Sequence, residues 1–228
     1  MPSPDEVFGE IEVDRANRER EIRLLKNSAQ TAATRAEKDM LLRVLILLTY
    51  SHLEGSCRFA FEAYVAALNA MALTCDKASY ALVAATLTRA LSALRNPTSK
   101  HPFFVRVLPD DTKLHLVARE REFVESLDKI VKSRIDLPDM VVDTESNLSS
   151  TVLRKNLYRL GLDLAVVDVH QGQIDKLLGI RNAIAHGDSL RVPAQKDADD
   201  YVSSAFAVMQ FVQYQVFSAL SNKSYLRV

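Results

Sequence analysis

Arg181, Asn182 and His186 fall within six consecutive residues, Arg181-Asn182-Ala183-Ile184-Ala185-His186, with Leu177-Leu178-Gly179-Ile180 before them and Gly187-Asp188 after. A guanidinium keeps its charge at any cellular pH and presents a planar fork of donors that matches a phosphate. An imidazole titrates near neutrality and so takes or gives a proton under ordinary conditions. Together, with an amide beside them, these groups make a candidate site and not merely a helix end.

On a helix, at roughly 100° per residue with Ile174 at zero, Leu177, Leu178, Ile180, Ile184 and Ala185 fill an apolar arc from about 240° through 0° to 40°. Arg181 falls inside that arc at about 340°, while Asn182 and His186 lie on its edge near 80° and 120°. A histidine followed by glycine has an ordinary explanation as a helix end, where a cation and a left-handed glycine are both favoured. The arginine has none. It cannot discharge, so a place in an apolar face is costly unless an anion or a set of acceptors meets it. Three partners are open: a carboxylate such as Glu54, a cluster of carbonyls, or a phosphate of a bound ligand.

The elements that must position these residues read as helices. The chain has 228 residues but only 6 Gly and 7 Pro, the prolines confined to positions 2, 4, 97, 102, 109, 138 and 193, which leaves long stretches without helix breakers. An amphipathic helix is expected over 5–29; its Arg18, Arg20, Arg23 and Lys26 are interleaved with acids and read as a solvated face rather than a phosphate site. The segment 36–69 is apolar on most sides between 40 and 50, as the central helix of a bundle is. Its Glu54, Arg58 and Glu62 share one ridge, either as a salt-bridged stripe or, for Glu54, in support of a polar site. A helix is expected over 77–94, and a charged one over 112–132. Between them, Pro97 to Thr112 is an irregular connection with a short strand at Phe103-Phe104-Val105-Arg106-Val107-Leu108. Asn147-Leu148-Ser149-Ser150 offers caps for a helix ending at Gly161. Val202, Phe206, Met209, Val212, Val216 and Leu220 then form a helical stripe within 194–221. The chain reads as one domain over 1–228, with a charged N-terminal helix over 1–35 and a helical core over 36–222.

Lys+Arg and Asp+Glu both number 29, so the summed field attracts neither nucleic acid nor an anionic membrane, and any RNA contact must rest on a local patch. Cys57 and Cys75 lie in apolar-periodic segments without metal-ligand spacing and read as buried thiols of a reducing cytoplasm. His52, His101, His115 and His170 are scattered, and no metal site is expected. No signal peptide is visible at Met1-Pro2-Ser3-Pro4-Asp5, and the longest apolar run, Val44 to Leu48, is far below the ~20 residues of a membrane span.

Arg181-Asn182-Ala183-Ile184-Ala185-His186 resembles the Arg-polar-x3-His signature of the HEPN superfamily (higher eukaryotes and prokaryotes nucleotide-binding domains), with Asn in the favoured second place. Leu177-Leu178-Gly179-Ile180 and Gly187 look like the family's flanks. Tyr50-Ser51-His52-Leu53-Glu54-Gly55, with Tyr64, resembles the early-helix segment of a prokaryotic branch of HEPN nucleases. The resemblance covers the layout from about 36 to 222 and implies an all-α HEPN-like bundle with additional helices and one long irregular connection.

It also implies a metal-independent endoribonuclease that needs no cofactor. Arg181 and His186 would act on the scissile phosphate, Asn182 would orient the ring or the substrate, and Glu54 would support the site. Two protomers would bring their motifs together at a homodimer interface, and cleavage would leave a 2′,3′-cyclic phosphate. The role implied is that of a toxin of a toxin–antitoxin pair or an anti-phage defence effector. The expected partners are RNA, a second copy and an antitoxin or operon-encoded protein. The neutral chain departs from a basic RNA binder, so RNA would depend on a groove built from Arg154, Lys155 and Arg159, residues that read equally well as a solvated helix face. The alternative is a non-catalytic HEPN-like module that dimerises or binds a nucleotide or protein, with Arg181 a structural cation paired with Glu54 or carbonyls.

Overall fold

The structure, a computed structural model, describes residues 2–96, 98–104, 112–188 and 191–227. These residues form nine α-helices: α1 (Pro4–Gln30), α2 (Arg35–Asn69), α3 (Tyr80–Thr86), α4 (Thr88–Arg95), α5 (Thr112–Glu125), α6 (Leu127–Lys132), α7 (Ser150–Leu160), α8 (Ala165–Ala185) and α9 (Gln195–Ser221). One turn of 3-10 helix, Asp139–Val141, precedes α7. The fold of the described residues is all-α.

Local chemistry sets the principal helix ends. Ser3 accepts the Glu6 N–H while the Glu6 carboxylate accepts the Ser3 N–H, a reciprocal capping box with Pro4 in the first turn of α1. Thr34 caps α2 by accepting from Glu37. Ser149 caps α7, which stops at Gly161 in the left-handed region with φ 69°.

α2 is the axis of the bundle. It packs on α1, α8 and α9, which is why its sequence is apolar on most sides. Tyr50, Leu53, Cys57, Phe61 and Tyr64 succeed one another along it, all buried. Burial pushes the Cys57 thiol up to about 12, so it stays protonated, and Cys75 is likewise buried and free. α1 is tied to α9 through buried Gln213, which accepts from Arg15 Nε at 2.7 Å and donates to Glu12 at 2.6 Å. No helix among the described residues is long and apolar enough to cross a membrane.

Three expectations change. The helix over 77–94 is two helices: Lys77 and Ser79 are drawn into backbone pairing with Arg227 and Tyr225, and the chain bends at Leu87. No breaker marks that bend. α3 buries Leu82 and Ala85 and packs on α7, whereas α4 turns off that surface and buries nothing. The helix over 112–132 breaks at Ser126, whose hydroxyl donates to the Glu122 carbonyl at 2.8 Å, a back-bond that bends helices. The strand at 103–108 is not seen at Phe103 and Phe104, which lie in a turn, and its remainder, 105–108, is outside the described residues.

The Gly161 position tests the α7 terminus. An added Cβ would meet the Ala81 Cβ at 3.4 Å, and the left-handed backbone disfavours any L side chain. Gly161→Ala is expected to lower the unfolding free energy by about 1–2 kcal/mol, measured by urea denaturation.

Candidate functional site

α7 and α8 run antiparallel, in a register held by polar pairs. The Ser150 N–H and hydroxyl both donate to the Asp175 carboxylate, at 2.8 and 2.7 Å, and Arg154 reaches Asp168 at 2.8 Å. Extending that register backwards from Ser150 brings Asn147 to the C-terminal part of α8, where Arg181 lies.

Arg181 is half-buried. Its Nη1 donates to Asn182 Oδ1 at 2.8 Å and to Asn147 Oδ1 at 3.3 Å, and its guanidinium carbon sits 4.6 Å from the centre of the Tyr50 ring. Tyr50 is fully buried, and its hydroxyl accepts the Leu148 N–H at 2.6 Å, while the Glu54 charge one turn on acts on it. Burial, reinforced by the Glu54 charge, pushes the Tyr50 pKa up to about 12, while the Leu148 N–H and the Arg181 charge oppose the rise.

The partners of Arg181 are therefore neutral. No ion pair between Arg181 and Glu54 forms among the described residues. Nε and Nη2 meet no acceptor among those residues, and neither atom is sealed from solvent. Two amide oxygens and a ring face hold the guanidinium without cancelling its charge.

The Asn182 side chain accepts from Arg181 and makes no hydrogen bond with the His186 ring. His186 is exposed and caps α8, its N–H donating to the Asn182 carbonyl at 2.9 Å, with Gly187 beyond it in the left-handed region at φ 93°. The ordinary helix-end account of the histidine is thus present in full. Five residues of helix turn through roughly 500°, so the Arg181 and His186 side chains leave α8 about 140° apart. Ala185, in the apolar arc on the wheel, is exposed because the helix ends there.

The three basic residues of α7 do not gather around the motif. Arg154 is paired with Asp168, and Lys155 with Glu145 at 2.8 Å. Arg159 is nine residues into a helix that runs away from Arg181, about 14 Å along its axis. The charged faces of α1 and α2 are ion-paired: Arg18 with Asp14, Arg23 with Glu19, Lys26 with Asp199, and Arg58 with Glu62. His52 joins this surface, its Nε2 2.9 Å from Glu21 and its Nδ1 3.4 Å from Arg18 Nη1, over Gly55.

Tyr50 and Asn147 are the site residues that pattern reasoning missed. Tyr50 opens the Tyr-Ser-His-Leu-Glu-Gly segment, which was a signal without an assigned role. Asn147 stands among the capping residues before α7, and nothing in its spacing shows that it reaches Arg181.

The all-α bundle, with its late helix α8 packed on the central α2, is an HEPN-type domain. The family model described as RiboL-PSP-HEPN matches residues 13–217, and the chain belongs to that family. No curated protein and no solved structure matches it.

Tyr50→Phe keeps the ring beneath Arg181 but strips the acceptor from the buried Leu148 N–H, and is expected to cost about 1–3 kcal/mol of stability by urea denaturation. The Tyr50 pKa of about 12 in the folded chain exceeds its ordinary 10.0. Its stabilising contribution is therefore present below about pH 10 and lost as the pH rises towards 12. Over that window the wild type is expected to lose more stability than Tyr50→Phe; equal losses would remove Tyr50 from the account.

Proposed function

We propose that this protein is a metal-independent endoribonuclease that cuts RNA through Arg181 and His186 of two protomers at a homodimer interface. Its role in this reading is that of a toxin of a toxin–antitoxin pair or an anti-phage defence effector. The observation that carries the reading is the state of Arg181: a permanent charge, fixed by neutral partners, with Nε and Nη2 unmet among the described residues. An RNA phosphate is an anion that fits such a fork bidentately.

In the reaction, the RNA 2′-oxygen attacks the adjacent phosphorus and gives up its proton to an imidazole. The bond from phosphorus to the 5′-oxygen breaks, and that oxygen takes a proton from an imidazolium. The products are a 2′,3′-cyclic phosphate and a 5′-hydroxyl. Arg181 holds the non-bridging oxygens as charge develops on them. The two proton transfers need two groups, and the 140° divergence of Arg181 and His186 around α8 argues that each phosphate is served by side chains from both protomers. A non-catalytic binding module would use the same Arg181 contacts, and activity separates the two.

Purified protein incubated with total RNA in EDTA is expected to cut it, leaving cyclic-phosphate ends. Arg181→Ala and His186→Ala are each expected to reduce cleavage by about 10²-fold or more and to relieve growth inhibition, with circular dichroism and elution volume unchanged. Undiminished cleavage in both variants would overturn the proposal.

A further inference from the structure

A pocket with a volume of about 940 Å³ lies at the other end of α8 from the motif. α3 and α4 form one wall; the last turn of α7 and the 138–143 loop form the other. Ala85, Val141 and Leu162 make an apolar floor. The volume is at the upper end of the ~300–1,000 Å³ typical of small-molecule sites. Leu164 at its edge adjoins the start of α8, and Arg181 is sixteen residues into that helix, roughly 24 Å along its axis.

Large side chains are left in solvent around this concavity. Tyr80 and Tyr158 are each 72% exposed and Met140 is 59% exposed, so apolar and aromatic surface at the pocket rim is left uncovered. Arg95 and Arg159 line the pocket, and neither makes a hydrogen bond or ion pair among the described residues, whereas Arg154 and Lys155 on the same α7 are paired. A third guanidinium, that of Arg227, lies 4.4 Å over the Tyr80 ring, so this rim already shows a cation stacked on an aromatic face. Asp143 and Asp163 each spend one oxygen on a backbone N–H, of Glu145 at 2.7 Å and Ala165 at 3.0 Å. The second oxygen of each remains an acceptor for a hydroxyl or amino group.

We propose that this pocket binds a nucleotide, its base stacked on tyrosine, its phosphate met by Arg95 and Arg159, and its ribose or base donors met by Asp143 and Asp163. A purely apolar ligand leaves the unpaired guanidiniums without purpose, and a bare polyanion is repelled by the two carboxylates. A ligand with an aromatic plane, an anionic group and hydrogen-bond donors satisfies all three kinds of side chain. An unpaired nucleotide of an RNA strand and a free mononucleotide share this chemistry. The proposal stands on the pocket's own side chains and does not depend on cleavage at Arg181.

Calorimetric titration of the full chain with AMP, UMP, and 2′-O-methyl hexamers of adenylate and uridylate tests it, since the methyl group blocks cleavage of the strand. Binding of at least one probe is expected, weakened about tenfold or more in Tyr158→Ala and likewise in Arg159→Glu, and unchanged in Arg181→Ala. Both altered side chains are exposed, so the fold is expected to persist, as circular dichroism will verify. Tighter binding of a mononucleotide assigns the pocket to a free ligand; tighter binding of a hexamer assigns it to a strand. The proposal is overturned if no probe binds, if Tyr158→Ala and Arg159→Glu leave the affinity unchanged, or if Arg181→Ala abolishes it.

Discussion

A guanidinium on the buried side of a helix constrains everything around it, because it cannot shed its charge. Here Arg181 is met by a ring face and two amide oxygens. A carboxylate at contact distance would have neutralised it and bound it tightly into the interior. A cation–π contact of about 0.5–2 kcal/mol and two neutral acceptors fix its direction and leave its charge free to act. Glu54, the acidic candidate from the sequence, makes no ion pair with Arg181 among the described residues; its charge acts on Tyr50, raising the pKa of that hydroxyl.

Tyr50 is where this constraint joins the fold. It belongs to α2, the helix on which α1, α8 and α9 pack, and its hydroxyl also receives the N–H of Leu148, next to Asn147. One buried side chain thus sets the height of Arg181 above α2 and the position of the strap that supplies its second acceptor. The Ser150–Asp175 and Arg154–Asp168 pairs then lock α7 against α8 in antiparallel register. That register carries the chain away from the motif, towards the pocket beside Tyr158 and Arg159.

Charge is distributed accordingly. The chain is neutral as a whole, and most of the charge runs seen along α1 and α2 are consumed in local pairs. Basic residues therefore do not make a general electrostatic surface. Among the described residues Arg181, Arg95 and Arg159 have no carboxylate partner, so their charges are not consumed in such pairs.

Much of the helical layout was legible in the sequence, since α1, α2, α7 and α9 depend on apolar periodicity, caps and a terminal glycine, all local signals. The motif was legible for the same reason: the wheel alone shows an arginine in an apolar arc and a histidine at a helix end. The bend at Leu87 and the break at Ser126 were not, because propensity continues through both and packing or a single back-bond decides. Above all, the sequence determined that Arg181 must have a partner, since its charge is permanent. Only the tertiary structure decided that the partner is the face of Tyr50 with Asn147 and Asn182, because contacts between residues far apart in the chain leave no periodicity to read.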